Sequence, residues 1–305
     1  MTRTAFIMIA GKPNVGKSTL LNSLLGEKVA IVSRKPQTTR NRITGVLTQG
    51  GDQFVFTDTP GLHKPKTLLG EYMMKSASEA AAGSDIVLFV VEAGAELNAN
   101  ERNALSQYTA AGLKVILVIN KTDRADKVRL AAQISELASV YDFHAVVPVS
   151  ALTGDGVEAI LSELRPLLTE SVHFFPDDYI TDQPERRLVA EIIREKALRL
   201  LDEEVPHGIA VSVEDFREGK GRISVRAEIY CEKESHKRII IGKGGEMLKK
   251  IGTYAREDIE SLLGVRAYLD LWVKVKENWR DRPALLSDFG YKEEDLKCTS
   301  SSKGL

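Results

Sequence analysis

The glycine-rich segment near the amino terminus reads Gly11-Lys-Pro-Asn-Val-Gly-Lys-Ser18. It matches the G-x-x-x-x-G-K-S pattern of a phosphate-binding loop, in which glycines let backbone N–H groups turn toward phosphates and a helix dipole favours their charge. The apolar run Phe6–Ala10 precedes it and a helical pattern follows it, which is the context that the pattern requires. The predicted phosphate contacts come from Asn14, Val15, Gly16, Lys17, Ser18 and Thr19.

Short β-branched runs alternate with longer amphipathic segments from Thr4 to about Leu168. This alternation is typical of strands joined by helical crossovers, so residues 1–170 are predicted to form an α/β P-loop domain with a mostly parallel sheet and helices on both faces. The predicted strands are Phe6–Ala10, Ile43–Leu47, Phe54–Phe56, Ile86–Val91, Val115–Ile119 and Val146–Val149.

The base that this domain selects is predicted from Asn120-Lys-Thr-Asp123, which follows an apolar strand. The Asp123 carboxylate can accept hydrogen bonds from guanine N1–H and N2–H₂, whereas adenine offers neither and would leave the charge unpaired. Lys121 can lay its aliphatic stem on the base. Ser150-Ala-Leu152 follows the last strand, and the Ala151 N–H is expected to meet guanine O6. Guanine is thus favoured over adenine, and the domain is predicted to be a GTPase that binds GTP and GDP through Asn120, Lys121, Asp123, Ser150, Ala151 and Leu152.

Two further segments are predicted to respond to the γ-phosphate. Asp58-Thr-Pro-Gly61 ends a strand and places a carboxylate where it can hold Mg²⁺, usually through water, while the Gly61 N–H can reach the γ-phosphate. Upstream, the polar segment from Lys35 to Arg40 can lend the hydroxyl of Thr39, or alternatively of Thr38, to Mg²⁺ when GTP is bound. The predicted metal ligands are Ser18, Thr39 and Asp58, and the predicted catalytic residues are Lys17, Thr39 and Gly61.

The position after Gly61 carries Leu62, where many GTPases have the glutamine that orients the attacking water. The next polar side chain is His63, for which exposure to solvent and a catalytic role are both open. Intrinsic hydrolysis is therefore expected to be slow.

Beyond the first domain the periodicity breaks at residues 171–184, which are interpreted as a linker with prolines at both ends. Residues 185–291 then predict helix, two strands, two helices and a strand, in the order α-β-β-α-α-β of an α+β KH domain. The composition of residues 292–305 predicts a disordered tail.

Between the two predicted helices of this second domain lies the glycine turn Gly242-Lys-Gly-Gly245. A GxxG turn in a KH domain lets the backbone of single-stranded nucleic acid approach closely, beside an adjacent apolar groove. Ile239, Ile240, Ile241 and Ile251 are predicted to form this groove and the core. A plain helical connection or a solvated charged face would also explain the glycines and lysines. The predicted RNA contacts are Lys237, Arg238, Ile241, Gly242, Lys243, Gly244, Gly245, Lys249 and Lys250.

The composition of the chain limits the partners, metal sites and compartments that are possible. The 42 basic and 43 acidic residues nearly cancel, so nucleic acid must be attracted by a local patch rather than by the whole molecule. Cys231 and Cys298 lack partners at metal-ligand spacing, which disfavours disulfide and zinc sites and fits a reducing compartment. A cleavable leader is not recognisable at the amino terminus, and the apolar runs are too short to span a bilayer, so a cytoplasmic protein is expected.

Taken together, the chain resembles the Era family of bacterial GTPases over about Ala5 to Tyr291. The matching features are Gly11–Ser18, Gln37-Thr-Thr-Arg40, Asp58-Thr-Pro-Gly-Leu62, Asn120–Asp123, Ser150-Ala-Leu152, Asp182-Gln-Pro-Glu-Arg186 and Ile240-Ile-Gly-Lys-Gly-Gly-Glu246. An apolar residue at the position of Leu62 is characteristic of that group.

The resemblance implies a factor in assembly of the small ribosomal subunit that binds near the 3′ end of its ribosomal RNA, with binding coupled to the nucleotide state. It also implies peripheral contact with the inner membrane, and a monomer is expected. Two alternatives remain open at this point: an RNA clamp in which nucleotide only stabilises the fold, and a membrane-recruited signalling GTPase.

Overall fold

The computed structural model describes residues 1–62 and 64–291. Its first part alternates strands and helices as predicted. The elements are β1 Arg3–Ala10, α1 Lys17–Leu25, β2 Ile43–Gln49, β3 Asp52–Asp58, α2 Leu68–Ala82, β4 Ile86–Glu92, α3 Ala99–Ala110, β5 Lys114–Asn120, α4 Lys127–Val140, β6 Ala145–Pro148, α5 Val157–Leu164 and β7 Thr169–Glu170.

The strands of this first part form one sheet in the order β2-β3-β1-β4-β5-β6, with β7 paired to β1. The β2–β3 and β1–β7 pairings are antiparallel and the other pairings are parallel. The central strand Ile86–Glu92 is apolar up to its last residue because helices cover it on both faces. The loops that follow β1, β3 and β5 therefore meet at the carboxyl edge of one buried sheet, where such folds bind ligands.

The second part of the chain has the predicted order α-β-β-α-α-β. Its elements are α6 Glu185–Leu200, β8 Ala210–Gly219, β9 Arg222–Cys231, α7 Glu234–Ile241, α8 Glu246–Leu263, β10 Arg266–Val275 and the short α9 Pro283–Asp288. The sheet order is β10-β9-β8, in which β9 pairs parallel to β10 and antiparallel to β8. Only Lys220 and Gly221 separate β8 from β9.

Residues 171–184, predicted as a linker, lie against the first sheet. The Val46 N–H donates to the Ile180 carbonyl at 2.8 Å, and the Thr181 hydroxyl donates to the Thr44 carbonyl at 2.7 Å. The buried side-chain oxygen of Gln53 accepts from the Phe174 N–H at 2.8 Å. These bonds fix the start of the second domain relative to the edge of the first sheet.

An apolar cluster joins the two parts of the molecule. It combines Leu69, Tyr72 and Met73 of α2 with residues of the second part, including Trp279 and Tyr291. In the described parts of the chain, every helix is too short or too polar to cross a membrane. The tail predicted at 292–305, with Cys298, lies outside the described residues.

Candidate functional sites

The phosphate-binding loop joins β1 to α1, as its sequence context requires. Gly11 has φ +144°, and a Cβ atom there would lie 2.3 Å from the Val90 carbonyl oxygen. Gly16 has φ +101°, and a Cβ atom there would lie 2.3 Å from the Asn120 side-chain nitrogen. Both positions therefore need glycine, both for backbone conformation and for lack of space.

Lys17 begins α1 and is buried beneath the loop. Its ammonium group donates to the carbonyl oxygens of Gly11 and Lys12, each at 3.0 Å. Burial lowers the pKa of Lys17 to about 8, and the charge of Asp58 opposes that shift. A phosphate beside this amine would favour its charged form, as expected of a group that stabilises phosphoryl transfer.

Three side-chain oxygens meet next to this lysine. The Ser18 hydroxyl lies 2.6 Å from Asp58 Oδ2 and 2.8 Å from the Thr39 hydroxyl, which itself lies 3.2 Å from the same carboxylate oxygen. Asp58 Oδ1 is buried without a hydrogen-bond partner among the described residues, and burial raises the pKa of this carboxyl against the effect of the Lys17 charge. Such a hard-oxygen set with an unsatisfied carboxylate fits Mg²⁺. The Thr38 hydroxyl instead donates to the Lys35 carbonyl at 2.7 Å, so the geometry favours Thr39 of the two candidate threonines.

The candidate base site is built by the ends of β5 and β6. The Asn120 side chain donates to the Val15 carbonyl at 2.8 Å and accepts from the Ala151 N–H at 2.9 Å, thereby tying the two loops together. The Ser150 hydroxyl donates to Asp123 Oδ1 at 2.8 Å, which orients that carboxylate. Because the Ala151 N–H is bonded to Asn120, guanine O6 would have to share it, a competition that the sequence did not reveal.

Lys121 adopts a left-handed backbone conformation with φ +68°. Its ammonium group pairs with Glu92 at 2.8 Å, which draws the charged end aside and leaves the aliphatic stem beside the pocket. Glu92 is thus a supporting residue that sequence reasoning missed, because it lies on a different strand.

The absence of a glutamine after Gly61 has a structural basis. The Leu62 N–H donates to the Gly11 carbonyl at 3.1 Å, and its side chain packs against the apolar cluster that contains Phe89 and Leu105. At Gly61 a Cβ atom would lie 2.6 Å from the Pro13 nitrogen, so the backbone passes close to the phosphate-binding loop. His63, the other catalytic candidate, lies outside the described residues.

A cavity of about 720 Å³ connects these groups and has the size of a nucleotide site. Of the predicted nucleotide residues it is lined by Asn14, Gly16, Lys17, Ser18, Thr19, Thr39, Gly61, Asn120, Lys121, Asp123, Ala151 and Leu152. Val15, Asp58 and Ser150 lie behind this lining and reach it through hydrogen bonds.

The same cavity has walls that the sequence did not indicate. Residues 31–35 form one side, and Leu198 and Arg199 of α6 form another together with Asp202, which follows this helix. A local motif cannot reveal the second wall, because it comes from a helix of the other domain.

The glycine turn of the second domain joins α7 to α8. Gly242 has φ +75° and ψ 175°, and a Cβ atom there would lie 2.7 Å from Met247 Cβ, so this glycine is required by the fold. Gly244 and Gly245 also have positive φ, but space around them is open within 4 Å. Open backbone of this kind can approach a phosphate closely. The predicted basic residues Arg238, Lys243, Lys249 and Lys250 are exposed around the turn, and Lys237 and Ile241 are partly exposed.

The groove beside this turn is lined by residues other than the four predicted isoleucines. A groove of about 490 Å³ runs between α8 and β10 and includes Gly245, Lys249, Arg256 and Tyr268. Of the four isoleucines predicted for the groove and the core, Ile240 and Ile251 are buried in the core, Ile241 packs partly buried against it, and Ile239 is half-exposed. Successive residues of a helix are rotated by about 100°, so Ile239 and Ile240 cannot share one face.

Comparisons with known proteins agree with this geometry. The family described as 50S ribosome-binding GTPase matches residues 6–121, and the KH domain family matches residues 204–280. The chain is thus a GTPase that carries a KH domain.

Relatives that match over almost their whole length show which family of KH-domain GTPases the chain resembles. GTPase Era of Ruminiclostridium cellulolyticum is 50% identical over 95% of this chain and 98% of its own, and GTPase Era of Clostridium kluyveri is 49% identical over 96% and 100%. A variant of Aquifex aeolicus Era bound to GDP and AlF₄⁻ superposes with a TM-score of 0.92 at 39% identity, covering 95% of this chain and 99% of that one. A structure of Era in complex with MgGDPNP and nucleotides 1506–1542 of 16S ribosomal RNA gives the same values. The chain belongs to the Era family of GTPases.

Proposed function

We propose that this protein is a GTP-hydrolysing switch that binds small-subunit ribosomal RNA near its 3′ end and assists assembly of the small ribosomal subunit. GTP, GDP and Mg²⁺ are its ligands in the first domain, and RNA is its ligand in the second. The main support for a switch is that the segment from Lys35 to Arg40, which contains Thr39, packs against the second domain.

Hydrolysis transfers the γ-phosphoryl group of GTP to water and yields GDP and phosphate. In this site Lys17 would place its positive charge at the β- and γ-phosphates, and the Gly61 N–H would donate to the γ-phosphate. Ser18, Thr39 and Asp58 would hold Mg²⁺, which neutralises charge that develops on the phosphate oxygens. Leu62 offers no group to orient water, which supports slow turnover in the absence of an activating partner.

The segment that contains Thr39 is held by the second domain on both sides of this residue. Arg194 of α6 donates to the Thr38 carbonyl. The Arg40 guanidinium donates to the Ile209 carbonyl at 2.6 Å and to the His207 carbonyl at 3.1 Å, and it lies over the Trp279 ring. Any ligand that draws Thr39 toward Asp58 therefore also favours this docking of the second domain.

The start of the same segment is anchored by a network of charges. Lys28 pairs with Glu195 at 2.9 Å and with Asp258 at 2.6 Å, and the Val32 N–H donates to Glu195 Oε1 at 2.8 Å. Burial alone would raise the pKa of Glu195, but the Val32 N–H and the Lys28 charge hold it below its ordinary value. The carboxylate is therefore ionised at neutral pH and keeps the anchor formed.

The segment that begins with Asp58-Thr-Pro-Gly61 and continues into α2 also contacts the second domain. The Leu68 N–H, at the start of α2, donates to Asp281 Oδ1 at 3.0 Å, and Tyr72 packs edge-on against Tyr291. Loss of the γ-phosphate would release contacts at Thr39 and Gly61 and so weaken both interfaces. If RNA prefers the GTP form, RNA must tighten GTP binding by the same factor.

For the second domain, the open Gly244 backbone, the exposed lysines and the groove between α8 and β10 support clamping of about four nucleotides of single-stranded RNA. The test is binding of RNA from the 3′ end of the small-subunit ribosomal RNA, against a scrambled RNA at one salt concentration, to Gly244→Asp and wild type. Aspartate tolerates positive φ, so the variant should fold and lose affinity through repulsion of phosphate. Gly112→Asp is the matched control, since Gly112 has φ +74° and open space in the first domain. Equal RNA affinity of the two variants would contradict the assignment.

Finer features belong to the same proposal. The proposal includes the site residues, the domain boundaries at 170, 184 and 291, and a monomeric cytoplasmic protein. It also includes peripheral contact with the inner membrane, which rests on the family resemblance. Co-sedimentation with anionic vesicles, with and without RNA, tests the membrane contact. A membrane-recruited signalling GTPase would bind vesicles and ignore the ribosomal RNA, which is the opposite of the expected result.

A further inference from the structure

The outer face of the carboxy-terminal sheet is only partly covered by the described residues. Its inner face packs against α6 and α8. On the outer face, Tyr230 is buried against Phe289, at 4.6 Å between ring centroids, because the carboxy-terminal segment crosses that end of the sheet. On the edge strand β10 of the same face, Tyr268 and Trp272 are 68% and 57% exposed. Two large exposed aromatic rings on one edge strand form a contact surface.

The Trp272 ring is held in place. Its indole N–H donates to Asp270 Oδ2 at 3.1 Å, and Arg226 contacts the same oxygen at 3.3 Å. A ring that is already oriented loses little rotational freedom when a flat ligand stacks on it. Tyr268 lies four residues before Trp272 on the same face, roughly 13 Å away along the strand, so each ring can receive a different base.

The charges on this face favour an anion. Arg266 of β10 is the register partner of Arg222 of β9, and both are exposed on the outer face. Among residues 1–62 and 64–291 neither guanidinium is in a salt bridge, whereas Lys274, near the other end of β10, is paired with Glu228. Two adjacent positive charges repel each other, and a phosphate between them would remove that repulsion.

The face is continuous with the proposed RNA groove. Tyr268 lines the groove together with Lys249 and Arg256, and only the edge strand β10 separates the groove from the outer face. A strand of RNA that leaves the groove at Tyr268 therefore reaches the outer face without crossing another element.

We propose that the outer-face surface formed by Arg222, Arg266, Tyr268 and Trp272 binds the single-stranded RNA that flanks the nucleotides held in the groove. The inference rests on the proposed binding of RNA to the second domain. The bases stack on the two aromatic rings, and a phosphate lies between the two arginines. Aromatic platforms beside basic residues accept most sequences, so this surface adds affinity and site length rather than base preference.

Tryptophan fluorescence tests this directly, because the chain has 2 tryptophans and Trp279 is buried with its N–H bonded to the Gly208 carbonyl at 2.8 Å. The full chain, bound to a non-hydrolysable GTP analogue, is titrated with an RNA of about four nucleotides that fills the groove. It is then titrated with a longer RNA that extends the same sequence. The longer RNA should bind more tightly and quench Trp272, and the short one should leave Trp272 unchanged.

Variants then separate the two surfaces. Trp272→Ala should weaken the longer RNA about tenfold and leave the short RNA unchanged, while Trp272→Phe should keep the affinity. Arg222→Ala and Arg266→Ala should each weaken the longer RNA and reduce the salt dependence of its binding, and Arg129→Ala, at an exposed position of the first domain, should do neither.

Unchanged affinity of Trp272→Ala for the longer RNA, with no quenching in the wild type, would overturn the second surface while the groove assignment stands. Unchanged RNA affinity and no quenching are also expected if this face binds a protein instead of RNA. Failure of the wild type to bind either RNA would instead contradict the proposed function itself.

Discussion

Arg194 offers the sharpest test of how the second domain positions the nucleotide site. Its guanidinium is buried, it donates to the Thr38 carbonyl, and it pairs with Glu191 three residues earlier on α6. In Arg194→Met the aliphatic volume is largely kept, but the Thr38 carbonyl loses a charged donor. A hydrogen bond to a charged group contributes about 2 kcal/mol, which corresponds to about 30-fold in an equilibrium constant.

This loss should fall on one nucleotide only. Thr39 is proposed to bind Mg²⁺ in the GTP state, so affinity for a non-hydrolysable GTP analogue should fall by up to about 30-fold. GDP affinity should change by less than about twofold, because GDP does not require the segment to be ordered. Fluorescent-nucleotide titrations at fixed Mg²⁺ measure both values.

Glu191→Gln provides the control for this experiment. It removes the charge partner of Arg194 and lowers the free energy of unfolding, but it leaves the donor to Thr38 in place. Its preference for the GTP analogue over GDP should therefore match that of the wild type. Equal preference in Arg194→Met and wild type would refute the positioning role of Arg194.

Three further substitutions test the nucleotide site itself. Asp123→Asn should reduce guanine selectivity on the order of 10⁴-fold, measured by competition between GTP and other nucleotides, and retained selectivity would disprove the base assignment. Gly61→Ala should weaken the GTP analogue at least about tenfold while GDP still binds, because the new Cβ would lie 2.6 Å from the Pro13 nitrogen; unchanged binding of the analogue would contradict this. Leu62→Gln should lower the free energy of unfolding by about 1–3 kcal/mol without faster hydrolysis, because its side chain packs in an apolar cluster, and accelerated turnover would show that it reaches the phosphate.

Much of the fold could be predicted because its signals are local. Gly11 and Gly16 mark a loop whose backbone conformation only glycine adopts readily, and the short apolar runs along the domain predict its buried strands. The order of elements in the second domain follows in the same way from alternating and helical periodicities. The role proposed for Asp123 could be predicted because the chemistry of its carboxylate matches one base.

The parts that could not be predicted depend on distant contacts. Arg40 bonds to carbonyl groups at positions 207 and 209, and Arg194 bonds to the carbonyl of Thr38. A backbone carbonyl carries no side-chain signature, so sequence patterns do not reveal these partners. Backbone partners also explain residues 171–184, whose pattern predicts a linker. Their backbone groups form hydrogen bonds to Gln53 and Val46 along the first sheet.

Which of the four isoleucines line the groove and which lie in the core could not be predicted, for a different reason. The composition of the four isoleucines fits both a groove and a core, and helical rotation places Ile240 in the core and Ile239 toward solvent. Composition alone does not distinguish these faces when the bounds of a short helix are uncertain by a residue or two.

The central claim is that the nucleotide state controls RNA binding through the interface between the two domains. The most direct measurement is the affinity of the full chain for RNA from the 3′ end of the small-subunit ribosomal RNA in the nucleotide-free, GDP and GTP-analogue states, at one fixed salt concentration. The account predicts the tightest binding with the GTP analogue, and an equal tightening of the analogue by RNA. Equal RNA affinity in all three states would contradict it.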